Sequence, residues 1–166
     1  MIDRLLGHDA WTTRRLLELS LPLDDDALDR RFPIGLGSLR QTLAHIVDNA
    51  ACWTLLMVDA DVIDPWSPDG VSVATLIERY DRTTAELIGL ARRVADEGRL
   101  DDTFVDRLDD PPRRKSYGAG ILHVATHGMH HRAQALHMLR RLGVADIPEG
   151  DAIGWERQRV GGWRHA

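Results

Sequence analysis

The stretch from Ile121 to Leu142, ILHVATHGMHHRAQALHMLRRL, most constrains what this chain can fold into. It reads as one long helix and holds five of the eight histidines. His123, His127 and His131 recur every fourth residue, so at about 100° per residue they drift only about 40° per step and form one stripe. His130 and His137 lie farther round. Imidazoles four residues apart have Cβ atoms roughly 5–6 Å apart, close enough to reach one metal ion from adjacent turns. All three cannot do so, because His123 to His131 spans about 12 Å of axial rise. The stripe therefore predicts a ligand pair, either His123/His127 or His127/His131, completed by a third ligand from another helix.

Spacing of this kind is more often a hydrogen-bonded histidine pair than a metal site, and the stretch lacks the glutamate of an H-E-x-x-H signature. Two features favour ligation. Gln134 and Met138 continue the stripe and Val124 flanks it, as on a core-facing surface. His45 lies within a second largely apolar segment, LRQTLAHIVDNAACW. Histidines directed into one core from two helices are costly unless hydrogen-bonded or coordinated.

The segment HGMHHRAQ (127–134), after an Ile-Leu-His run, resembles the H-x-x-x-H-R-G-Q motif of the DinB/YfiT-like metalloenzymes. SLRQTLAHIVDNAACW is similar to that family's second-helix motif, in which a lone histidine precedes an aromatic residue by about two turns; here these are His45 and Trp53. LLGHDAWTTRRLLEL resembles its first helix, including Trp11. The three motifs occur in order between about residues 3 and 148. The resemblance implies an all-α four-helix bundle with a metal held by His45, His127 and His131. Ala133 stands where the family usually has glycine, and as the better helix former it leaves such a site in place.

The 166 residues suit a single domain, with the bundle over about 2–143 and a short tail over 144–166. A hydrophobic fraction of 43% and a charged fraction of 28% are ordinary for a soluble protein. No apolar run approaches a membrane span, and no signal-peptide layout opens the chain, so a cytoplasmic protein without a membrane partner is expected. The net charge of −5 argues against a general grip on nucleic acid, although the residues after 110 are basic. Arg113, Arg114 and Lys115 are read as facing water. Cys52 is the only cysteine, which excludes an internal disulfide, and is read as a buried structural thiol.

Helix 1 is expected from Ile2 to Leu19, burying Leu5, His8, Thr12, Leu16 and Leu19 with Trp11 at the edge. Ser20 to Gly37 reads as a connector. Ser38-Leu-Arg-Gln41 fits a capping box opening helix 2, which reaches Val58. Within it, Asn49 or Asp48 could orient a ligand imidazole, though Asp48 is read slightly more readily as solvent-exposed. Residues 59–70 form a loop whose Trp66 could anchor it or cover a pocket. Ser72 caps helix 3, which ends near Gly98. Residues 99–117 suggest a short extended excursion.

The last helix ends at Gly143 and has a second apolar side made by Ile121, Ala125, Met129, Leu136 and Leu139. Either a second copy covers it, making a homodimer, or the tail does with Trp155 and Trp163. Arg132 lies about 140° from His127 and is assigned to packing or an ion pair. Gln134 lies about 20° from it and is the better candidate to orient a ligand by hydrogen bonding, with His123 as another.

Three neutral imidazoles with an open position describe a reactive divalent metal site, with zinc the first choice and nickel the second. Characterised members of the family resembled include transferases and isomerases that use small thiols such as bacillithiol or mycothiol. That implies an enzyme activating a low-molecular-weight thiol for transfer to an electrophilic small-molecule substrate. The alternatives are a hydrolase using metal-activated water, which would want a nearby carboxylate, and a noncatalytic metal-binding, stress-associated dimer.

Overall fold

Three of the four long helices open on a serine whose side chain accepts a hydrogen bond from a free backbone N–H. Ser38 caps α3 (Leu39–Met57), Ser72 caps α4 (Val73–Asp96) and Ser116 caps α5 (Tyr117–Arg141). Gln41 does not complete the expected capping box, since its side-chain oxygen accepts from Arg31 at 3.3 Å. The fourth long helix is α1 (Ile2–Ser20). The structure, a computed structural model, describes residues 1–60 and 69–159; Trp66 and Trp163 lie outside these.

The four helices form a square in cross-section. α1 and α3 are diagonal to one another, and each packs against both α4 and α5. The core between them is fully closed at Leu16, Leu17, Leu39, Leu43, Val47, Leu76, Met138 and Leu139. Because α3 and α5 are neighbours, the face of α3 carrying His45 meets the histidine stripe of α5.

The buried side of α1 overlaps only in part with the one its hydrophobic spacing suggests. Thr12 and Leu16 are buried as expected, but so are Leu6, Asp9, Thr13 and Leu17, whereas Leu5, His8 and Leu19 are only half-buried. The rotation places Asp9 inside the bundle, where Arg132 of α5 pairs with it and the Tyr80 hydroxyl donates to its carboxylate at 3.1 Å. Polar partners from two other helices therefore decide which side of α1 faces inward.

The connector after α1 contains a short helix, α2 (Asp25–Asp29), where irregular chain was expected. Its Asp run supplies an N-cap, Asp24, and an acidic first turn that suits the positive end of a helix dipole. The buried Arg40 of α3 clamps it, with Nε donating to Asp29 at 2.8 Å and a terminal nitrogen paired with Asp25. The same guanidinium donates to the Val71 carbonyl.

The excursion after α4 is an antiparallel hairpin of β1 (Thr103–Asp106) and β2 (Arg113–Ser116), with Phe104 opposite Lys115. β2 leads directly into α5, which starts at Tyr117, four residues ahead of the periodic stretch. Lys115 pairs with Asp109 at 3.0 Å, so it is not a free surface cation.

Beyond Gly143 the tail folds back and forms α6 (Ala152–Arg159). His8 Nε2 donates to the Gly150 carbonyl at 2.9 Å, and buried Trp155 lies against Gly7. Gly150 itself packs on Leu136. The second apolar side of α5 is thus taken up within the chain at Ile121, Ala125, Leu136 and Leu139, while Met129 remains exposed. No helix of the described residues is long and apolar enough to cross a membrane.

Candidate metal centre

His45 projects from the middle of α3 toward the middle of α5, where His127 and His131 occupy successive turns. The ring centroids of His45 lie 5.0 Å from His127 and 4.6 Å from His131, and those two are 4.5 Å apart. One nitrogen from each ring falls within 4.8 Å of the others, so the three could hold a metal ion. His45 Nε2 and His127 Nε2 approach to 3.4 Å. Of the two ligand pairs that spacing left open on α5, the structure brings His127/His131 to the histidine of α3.

The donor set suits a divalent metal of borderline softness. Burial pushes His127 down to about 4, with its histidine neighbours acting in the same direction. Burial also lowers His45, aided by His131. Both rings are therefore neutral at physiological pH and present lone pairs without first losing a proton. Among the described residues no carboxylate joins the cluster. His127 Nδ1 is buried without a partner among the described residues, a further sign that polarity here serves something other than fold stability.

Orientation comes from Gln134. His131 Nδ1–H donates to Gln134 Oε1 at 2.8 Å, which leaves the lone pair on Nε2, while the amide nitrogen of Gln134 donates to His130 Nε2 at 3.0 Å. The backbone of the connector lies against that amide: a Cβ at Gly35, whose φ is +58°, would collide with Gln134 Oε1. The sequence showed Gly35 only as a turn signal, with nothing to link it to the site.

The other expected orienting residues behave differently. Asn49 is half-buried on α3, and no hydrogen bond joins it to an imidazole among the described residues. Asp48 pairs with Arg79 at 2.8 Å, so it is neither freely solvated nor turned to His45. His123 makes no hydrogen bond to a ligand candidate; it contacts the ring of His127 at 5.1 Å and that of Trp53 at 4.6 Å. Cys52 is half-buried rather than buried, and burial pushes its thiol up. Ala133 is exposed and leaves the cluster untouched. His8 belongs to the tail contact, on another side of the bundle.

Replacing Gln134 by alanine removes the acceptor that fixes His131. Zinc affinity is expected to fall about 10–100-fold, read by competition with a chelating dye. An unchanged affinity would mean that packing alone orients the ring.

Fold and site together define a four-helix bundle with three histidines converging from two adjacent helices. The sequence profile of the DinB superfamily matches residues 8–135. The chain belongs to that superfamily. The crystal structure of a DinB-like protein from Bacillus cereus is similar in fold, with a TM-score of 0.61 over 84% of this chain and 89% of that one, at 19% identity. Comparison with curated proteins gives no match.

Proposed function

We propose that this protein is a metal-dependent enzyme in which His45, His127 and His131 hold a divalent cation, zinc ahead of nickel, and that it transfers a low-molecular-weight thiol to an electrophilic small molecule. The observation that carries this reading is a cluster of three converging imidazoles with no carboxylate among them. Three protein ligands leave a position for a reactant, the pattern of catalytic as opposed to structural sites. A metal-assisted hydrolase would ordinarily place a carboxylate base beside its water, and among the described residues none joins the cluster.

A divalent cation bound there would stabilise a thiol as its thiolate near neutral pH. The chain's own residues do the rest. Burial keeps His127 and His45 deprotonated, and Gln134 holds the His131 tautomer. The Gly35 turn packs against the Gln134 amide. In the transfer the thiol proton goes to solvent, a sulfur–carbon bond forms, and the leaving group departs with its electron pair.

The test uses untagged, zinc-loaded protein with mercaptoethanol and chlorodinitrobenzene, following the aryl thioether by absorbance. Turnover above the uncatalysed rate should require both zinc and thiol and be lost in His127→Ala. Thiol-independent release of product would favour the hydrolase. Zinc binding without either reaction would leave a noncatalytic metal-binding protein.

A further inference from the structure

His123 stands one turn before His127, outside the three converging rings. Two ring contacts hold it: Trp53 on one side, tilted by 45°, and His127 on the other, tilted by 32°. Trp53 is braced edge-on by the buried ring of Phe104 at 6.1 Å. The hairpin thus fixes the tryptophan, and the tryptophan fixes the imidazole. Yet neither ring nitrogen of His123 has a hydrogen-bond partner among the described residues. A half-buried imidazole immobilised in this way carries its hydrogen-bonding capacity toward whatever enters beside it.

The exposure of the stripe is uneven. His131 is buried, at 8% exposure, and the Gly35 turn packs against the amide that holds it. His127, His45 and His123 are half-buried. Among the described residues, the less covered side of the cluster is therefore the one bordered by His123 and Trp53. Two side chains of the hairpin, Asp106 and Lys115, act electrostatically on His123 with opposite signs, and Lys115 is itself held by Asp109.

We propose that His123 is a substrate-binding residue of this centre, its ring N–H donating to a carbonyl or carboxylate oxygen carried close to the sulfur of the thiol. The assignment rests on the thiol reading of the cluster. It gives the thiol a chemical class: one bearing an acceptor oxygen three bonds from sulfur, as opposed to a plain alkanethiol.

The experiment is calorimetric titration of zinc-loaded protein with mercaptoacetate, mercaptoacetamide and ethanethiol. In the wild type the two acceptor-bearing thiols should bind about tenfold more tightly than ethanethiol, the factor one hydrogen bond supplies. His123→Phe keeps a ring between Trp53 and His127 and removes the donor. It should abolish the preference while leaving zinc content and ethanethiol affinity unchanged, and His123→Gln should restore part of it. A preference that is absent from the wild type, or persists in His123→Phe, overturns the role of His123 and leaves the thiol reading standing. Failure of all three thiols to bind the zinc-loaded wild type overturns that reading, and the role of His123 with it.

Discussion

Removing His127 is expected to abolish the response of this protein to zinc. A ligand that binds only the folded state stabilises it by RT ln(1 + [L]/Kd), which is about 2.7 kcal/mol at one hundred times the dissociation constant. For a chain of this size, each kcal/mol moves the melting temperature by roughly 2–4 °C. Wild-type protein in excess zinc should therefore melt about 5–10 °C above the metal-free form, and His127→Ala should show no such rise. His127 is the informative position because its ring belongs to both i, i+4 pairs on α5 and also approaches His45. His45→Ala asks the complementary question. If the site spans α3 and α5, its zinc response disappears too, although every histidine of α5 is intact. If the stripe on α5 binds zinc alone, His45→Ala retains the full shift. His137→Ala, on the exposed side of the same helix, serves as the control and should behave as wild type. A wild-type-sized shift in His45→Ala would sink the two-helix site whatever the result at His127.

The helices and the stripe were legible because they are local. Serine caps, a period near 3.6 and glycine stops are written within one or two turns of the residues they govern, and α3 and α4 begin on the serines the sequence marked, Ser38 and Ser72, whereas α5 begins on Ser116, inside a stretch read as extended. The choice between His123/His127 and His127/His131 was not legible from spacing, since both pairs are i, i+4. It depends on the axial register of α3 against α5, which is set by packing between distant segments such as the contact of the Thr42 hydroxyl with Met138 sulfur at 3.8 Å. The family resemblance named His131, and the structure brings His131, with its Gln134 partner, to His45. Asn49 makes no hydrogen bond to an imidazole among the described residues, for a related reason. A residue one turn from His45 shares its side of the helix, but reaching the imidazole requires a rotamer and a gap that periodicity does not specify. α1 misled in a different way. A scale that scores Asp9 as polar turns it outward, and only the partners on α4 and α5 explain why it faces in.

Replacing Arg132 by methionine should destabilise the metal-free protein by about 3–5 kcal/mol at neutral pH, the range for removing one partner of a buried ion pair. Both side chains are almost wholly buried, at 4% exposure for Arg132 and 7% for Asp9. The same guanidinium nitrogen also donates to the Thr13 hydroxyl at 3.2 Å. Gly128 makes the approach of α1 and α5 possible, since a Cβ there would meet the guanidinium at 2.9 Å and the Asp9 carboxylate at 3.0 Å. Without the arginine, Asp9 is left buried with only the Tyr80 hydroxyl on its carboxylate.

The pH dependence has a definite sign. Burial already pushes the Asp9 carboxyl up, and Arg132 is the main influence pulling it down, so the variant's carboxyl titrates higher still. A carboxyl whose folded pKa exceeds its unfolded value holds its proton more tightly in the native state, and stability falls as pH rises through that window. The deficit of Arg132→Met should therefore be largest near neutrality and shrink as the solution is acidified toward the unfolded carboxylate range. Adding Asp9→Leu removes the stranded charge, and the double variant should recover most of the lost stability because apolar groups can replace a buried ion pair at little cost. Urea unfolding at two pH values, applied to the wild type, the single variant and the double variant, measures each of these differences. A pH-independent loss in Arg132→Met, unrelieved by Asp9→Leu, would show that the arginine acts through packing volume and not through its charge.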